Sequence, residues 1–172
     1  MALTKIQSLG ITDGTIVNAD INASAAIAGT KLSGAGKVLQ VVQGDYTGQV
    51  STTSTSYVTS NLTASITPSS ASNKILIMVS LIGCYQPNTN QVLRSIIYKG
   101  ASPLISSGST PSFGDNYSTS GGLTVNHCYQ YLDSPATTSA TTYTVYFRSE
   151  GSVVYVNVNG GTSFIQLLEI GA

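Results

Sequence analysis

Hydrophobic positions along this chain obey two different rules. Over residues 38–172 they sit in short β-rich runs separated by polar clusters, whereas over residues 1–37 they follow neither of the regular periods. In the first region large aliphatic residues recur at Leu3, Ile6, Leu9, Ile11, Ile16, Ile21, Ile27 and Leu32. The run from Ile11 through Ile16, Ile21 and Ile27 to Leu32 steps by about five residues, against a helical period of ~3.6 and a strand period of 2. Turn-forming residues lie between them, as in Thr12-Asp13-Gly14-Thr15 and Asn18-Ala19-Asp20. Only Asn22 to Leu32, rich in alanine and with Asn22 or Ser24 as a cap, reads as a helical turn or two. Such an arm has no partner within itself. It is either a mobile tail or a segment that packs on copies of itself or on a larger assembly, and the regular spacing of its aliphatics favours the packed reading.

Gly34-Ala35-Gly36 marks the boundary, and the rest reads as one all-β domain. Strands are predicted over Lys37–Val42, Ser56–Ile66, Lys74–Cys84, Gln91–Tyr98, Thr142–Arg148, Val153–Val158 and Phe164–Ile170. The run Lys74–Cys84 is almost continuously apolar, which predicts a strand covered on both faces. In Thr142–Arg148, Tyr143, Val145 and Phe147 share one face while Thr144, Tyr146 and Arg148 share the other. Ser149-Glu150-Gly151-Ser152 then predicts a hairpin turn, with Val154, Val156 and Val158 on one side of the returning strand. The apolar last strand is expected inside a sheet rather than at its edge, and two sheets would face each other across a core about 10 Å thick.

Composition narrows the function. Hydrophobic residues make up 41% of the 172, enough for a core, but charged residues are only 8% against a typical ~25%, and seven basic residues balance seven acidic ones. No basic footprint for nucleic acid or an anionic membrane exists, so neither is an expected partner. No segment reads as a secretory signal, and the longest apolar run is far short of the ~20 residues that span a bilayer, so no membrane insertion is expected. A polar but uncharged surface suits permanent packing against other chains, and the bias to ten tyrosines, with three phenylalanines and no tryptophan, suits a seam between chains and a sugar-facing surface alike.

Catalytic chemistry is sparse. The one histidine, His127, neighbours Cys128 in a predicted strand, where adjacent side chains point to opposite faces and cannot share a metal or a dyad. Cys84 and Cys128 read as small buried strand residues rather than a disulfide framework. The carboxylates Asp13, Asp20, Asp45, Asp115, Asp133, Glu150 and Glu169 are scattered, mostly in turn-like sequence, and no phosphate loop, zinc spacing or EF-hand appears. No cofactor and no metal are expected, and the chain reads as non-enzymatic. Two loops stand out, Tyr85 to Asn90 and Ala101 to Gly122. Tyr85, Asn88, Asn90, Phe113, Asp115, Asn116 and Tyr117 combine aromatic rings with amide and carboxylate groups, as a glycan-contacting surface requires. The same rings could instead pack beneath their loops or across a seam between chains.

The segment Ile11 to Leu32 (ITDGTIVNADINASAAIAGTKL) resembles the apolar-spaced segments of tail-fibre and other virion proteins of tailed bacteriophages, notably marine and cyanobacterial ones. The body, from Val38–Val42 (VLQVV) through Thr67–Val79 (TPSSASNKILIMV) to Ser163–Ile170 (SFIQLLEI), is similar to domains that end such fibres. Its strand layout also resembles the trimeric jelly roll shared by complement C1q and tumour necrosis factor. The resemblance implies an all-β jelly-roll sandwich with an extended arm, assembled as a homotrimer within a virion. With so short an arm, it points to a head decoration or short fibre that binds another virion protein, capsid or tail, through residues 1–37. The alternative it leaves open is a tail-fibre tip that recognises a host surface glycan.

Overall fold

The computed structural model describes residues 37–171 other than 107 and 109. The arm positions Leu3, Ile6, Leu9, Ile11, Ile16, Ile21, Ile27 and Leu32, the helical turn expected over Asn22 to Leu32, and Asp13 and Asp20 lie outside the described residues. The described chain forms β1 (Val38–Tyr46), β2 (Val50–Thr52), β3 (Val58–Ile66), β4 (Lys74–Gln86), β5 (Gln91–Lys99), β6 (Ser102–Pro103), β7 (Gly114–Ser118), β8 (Leu123–Asp133), β9 (Thr141–Ser149), β10 (Val154–Val156) and β11 (Ser163–Ile170). One 3-10 turn, Val158–Gly160, separates the last two.

Two antiparallel sheets result. In the first, β4 pairs with β8 along one edge, and with β11 and then β10 along the other. Beyond β11 lies β1, and beyond β10 lies β2, so β1/β2 and β10/β11 are each one strand position interrupted midway. In the second sheet β3, β9 and β5 are neighbours, and β7 and β6 share the far edge of β5. Counted in chain order as eight strand positions, the sheets run 1-8-3-6 and 2-7-4-5. That is a jelly roll, two Greek keys folded against each other, the fold that the resemblance implies.

Period-2 alternation decides what lies between the sheets. Ile75, Ile77, Val79 and Leu81 of β4 and Ile165 and Leu167 of β11 face Leu62 and Ile66 of β3, Leu93 and Ile97 of β5, and Tyr143, Val145 and Phe147 of β9, all buried. Each such side chain contributes about 1.5–3 kcal/mol through the water it leaves. At Gly44 of β1 the layers approach so closely that only glycine fits, because a Cβ there would lie 1.9 Å from the Thr63 carbonyl oxygen.

Four expectations are corrected. The predicted hairpin is a crossover: β9 belongs to the second sheet and β10 to the first, and Ser149–Ser152 carries the chain between layers. Both strands still point their valines and aromatics into one core, which is why their patterns mimic a hairpin. Val158 begins the 3-10 turn instead of extending β10. The apolar β4 is covered on one face only, with Leu76 and Met78 outward among the described residues. The stretch Ala101 to Gly122 is no single loop, since β6 and β7 lie within it.

A buried polar layer closes one end of the sandwich. Asp133 accepts hydrogen bonds from Lys99 Nζ (3.0 and 3.1 Å) and the Tyr143 hydroxyl (2.7 Å). Glu169 accepts from Gln40 Nε2 (2.6 Å), Asn73 Nδ2 (2.6 Å), and the backbone N and hydroxyl of Ser69 (both 2.7 Å). These carboxylates, and Asp45 and Asp115, lie in strands rather than turns. A carboxylate with this many donors can be buried, whereas an unpaired one cannot. Burial works against ionisation of Glu169, but the four donors outweigh it and hold its carboxyl down at about 2. The unfolded chain therefore binds this proton first, so the stabilisation is complete above about pH 4.5 and lost as pH falls toward 2. Glu169→Gln is expected to lower stability by about 2–3 kcal/mol at neutral pH and to flatten the loss between pH 4.5 and 2, read from urea unfolding across that range.

Candidate functional site

With both inner faces committed to the core, surface chemistry falls to the two outer faces. That of the first sheet carries an apolar row spanning all four strand positions: Val41, Leu168, Leu76 and Leu132 stand side by side in register. Val41 is 58% and Leu132 49% exposed. One step along, Met78 stands between Gln166 and Gln130, and one further, Phe164 stands beside Ser80, which faces Cys128. The charged residues of this face, Lys74 and Asp45, lie at its two ends. An apolar stripe crossing a whole sheet marks an interface more than scattered exposed leucines do.

The outer face of the second sheet is polar and aromatic. Hydroxyls pair across its strands, Thr63 with Thr144 (2.9 Å) and Ser65 with Thr142 (2.6 Å). Next to them Tyr98 stacks on Tyr146 (centroids 4.1 Å apart) and meets Tyr57 edge-on at 6.3 Å. Burial raises the Tyr57 phenol to about 12, against the opposing charge of Arg148, so it stays protonated and donates to the Pro111 carbonyl. Both arginines of the chain converge here. Arg94 binds Asp115 (2.5 Å) and Glu150 (2.8 Å), and Arg148 binds Glu150 (2.7 Å) while lying over the Tyr57 ring. These guanidiniums hold the Glu150 carboxyl below its usual range. Their charges are matched within the cluster, so it is a rigid, internally neutralised platform.

The seven candidate glycan contacts do not form one site. Asp115 and Tyr117 lie on the outer face of the second sheet, where the Tyr117 hydroxyl donates to Asn90 Oδ1 (3.0 Å). Asn88 is tied to Ser152 (2.6 Å). Tyr85 lies on the outer face of the first sheet beside Tyr155, its cross-strand partner. Phe113 and Asn116 turn inward instead. Phe113 stacks on Tyr129 at 5.3 Å and meets Tyr131 edge-on at 5.4 Å, and Asn116 is 6% exposed, so neither is offered to a surface ligand. The sequence reading missed Tyr57, Tyr98 and Tyr146 as a cluster. The shared face of Tyr146 and Arg148 in β9 was its one legible sign.

His127 and Cys128 point to opposite faces, as expected: His127 is buried and Cys128 exposed on the outer face. Of the two cysteines expected to be buried only Cys84 is, because alternation along β8 turns Cys128 outward when His127 points in, and both thiols are free. His127 Nδ1 lies 2.8 Å from the Ser95 hydroxyl, a contact the sequence did not reveal. Both residues are sealed between the sheets and Nε2 has no hydrogen-bond partner among the described residues, so this pair lacks the access and orienting carboxylate of a nucleophilic dyad. Among the described residues no three His, Cys, Asp or Glu side chains gather as a metal site, and no helix is long and apolar enough to cross a membrane.

No protein-family model matches this chain, and no curated protein matches it. Among solved structures it is similar to a mutant VP2 protein of infectious bursal disease virus, from derived T=1 particles, at 14% identity with a TM-score of 0.45. The match covers 76% of this chain and 35% of that one, so the chain spans about a third of that protein's length.

Burial lowers the His127 imidazole to about 4, against the opposing charge of Asp115. The unfolded chain takes up this proton first, so stability is expected to fall as pH drops from about 6.5 to 4. Urea unfolding at pH 7, 5.5 and 4.5 checks this, with a loss of about 2–3 kcal/mol expected for the unsubstituted chain and a flat profile for His127→Asn.

Proposed function

We propose that this chain is a homotrimeric structural component of a virion, a short appendage of a tailed bacteriophage fastened to the particle through residues 1–37. The observation that carries the reading is the apolar row Val41, Leu168, Leu76 and Leu132, reinforced by Met78 and Phe164, on the outer face of the first sheet. Three such faces turned toward a common axis remove this stripe from water. Gln43 and Gln166 stand in the next register row beside Met78 and are bonded to each other (2.8 Å), so their amides already hold a partner when the face is covered. A seam with so little charge suits a permanent assembly rather than an exchanging one. The choice of three copies and of a phage particle rests on the resemblance of residues 11–32 to phage virion segments and of the strand layout to trimeric jelly rolls.

In this reading the division of labour follows the chain. The sandwich assembles the trimer, and the aliphatic positions from Leu3 to Leu32 grip a capsid or tail protein. The chain does no chemistry there. Its role is to present a stable β-body at the particle surface.

Light scattering on the purified chain is expected to give three times the 17.8 kDa of one chain. Leu76→Glu with Leu132→Glu is expected to give a monomer that keeps its β-sheet circular dichroism, and a monomeric unsubstituted protein would overturn the trimer. Removing residues 1–33 is expected to leave the trimer intact and to abolish incorporation into particles. Incorporation at normal occupancy would refute the anchoring role.

A further inference from the structure

The end of the first sheet away from the Asp133 and Glu169 layer is irregular in three strand positions at one level. The edge strand is interrupted between Tyr46 and Val50. In β4 the pairing with β8 shifts between Leu81 and Cys84, where Gly83 adopts φ +60°. Between β10 and β11 the 3-10 turn is built on Asn157 (φ 58°) and Asn159 (φ 63°), two left-handed residues other than glycine within three positions. A Cβ on Gly83 would lie 2.8 Å from the Val158 nitrogen, so only glycine lets this turn rest on β4.

The irregularities are fastened to one another. Asn157, 1% exposed, donates from its backbone N to the Ile82 carbonyl (2.9 Å) and from Nδ2 to the Gly48 carbonyl (3.0 Å), and it accepts from the Ser163 hydroxyl. Ile82 N donates to Ser163 Oγ (2.9 Å), and Gly83 N to Asn126 Oδ1 (3.0 Å). One buried asparagine thus ties the edge strand, β4 and the turn together. Left-handed residues held this firmly concentrate where a surface has been shaped for a task.

What they shape is a cleft of about 450 Å³, within the range of small-molecule sites. The Tyr85 and Tyr155 rings form one wall, with centroids 6.0 Å apart and planes at 33°. Gln49, Thr124 and Asn159 supply amides and a hydroxyl around it, and among the described residues no charged side chain lines it. The side chains of these five residues carry no hydrogen bond to another described residue, so their donors and acceptors are available to a ligand.

We infer that this cleft binds a neutral saccharide. A pyranose offers an apolar C–H face for an aromatic ring and a rim of hydroxyls for amides and hydroxyls, which is the complement of this wall. An anionic sugar would lose water here without gaining a counter-ion from the described residues that line the cleft, none of which is charged. The inference does not depend on how many chains assemble, and it gives Tyr85 a different set of neighbours from Asp115 and Tyr117.

The test uses the full chain and a panel of glucose, galactose and N-acetylglucosamine oligosaccharides beside sialylated and sulfated counterparts, followed by calorimetry and amide NMR. Neutral oligosaccharides are expected to bind and to shift the Gln49, Thr124, Tyr155 and Asn159 resonances. Tyr155→Ala is expected to weaken binding about tenfold or more, while Tyr155→Phe keeps most of it. Asn159→Gly, which suits the left-handed backbone and leaves the fold intact, is expected to weaken binding several-fold. The inference is overturned if no neutral oligosaccharide binds at millimolar concentration, if charged sugars bind more tightly, or if Asn159→Gly and Tyr155→Ala bind like the unsubstituted chain. Binding by a protein that proves monomeric would refute the trimer and leave this site standing.

Discussion

The structure depends on one constraint, the alternation of side chains along paired strands. Each sheet commits one face to the shared core, where Ile75, Ile77 and Val79 meet Tyr143, Val145 and Phe147. Every other residue of those strands is thereby pushed outward. The core does not explain what stands there, so the outer faces are where a role must be read. The first sheet presents an apolar row across its strands and, farther along them, a tyrosine-walled cleft, and the second a hydroxyl ladder beside a neutralised arginine–tyrosine cluster.

Among the described residues, the charges drawn into the fold are placed where they are matched. Asp133 and Glu169 are buried with complete donor sets, and the two arginines share Glu150. Paired charges of this kind specify geometry without leaving an uncompensated charge in a low-dielectric setting. They also set the acid response. His127 is held neutral by burial and Glu169 ionised by its donors, so both make the fold weaken as protons are added, over successive ranges of pH.

Two parts of the first sheet's outer face suit different tasks. A continuous, nearly uncharged apolar stripe is a poor surface to leave in water and a good one to bury against copies of the same chain. The Tyr85–Tyr155 cleft has the reverse character: its rings are framed by polar groups without partners, as a small polar ligand requires. It lies where the strand ladders are interrupted, so shaping it took nothing from the core, and Asn157 compensates locally for the lost pairing.

The sequence by itself determined the all-β class, the central place of Phe164–Ile170, and the faces of Thr142–Arg148, because each follows from local alternation and turn chemistry. Opposite faces for His127 and Cys128 follow for the same reason. Sheet membership did not, since β9 and β10 read as a hairpin whether they pair with each other or face each other across a core. Nor did the single covered face of β4, because an apolar outward row looks in sequence like a second buried one. The inward turn of Phe113 and Asn116, the meeting of Ser95 with His127, and the gathering of Gln49, Thr124, Tyr155 and Asn159 around Tyr85 were decided by the tertiary structure. Each joins residues far apart along the chain, and only strand pairing and the packing of one sheet on the other bring such residues together.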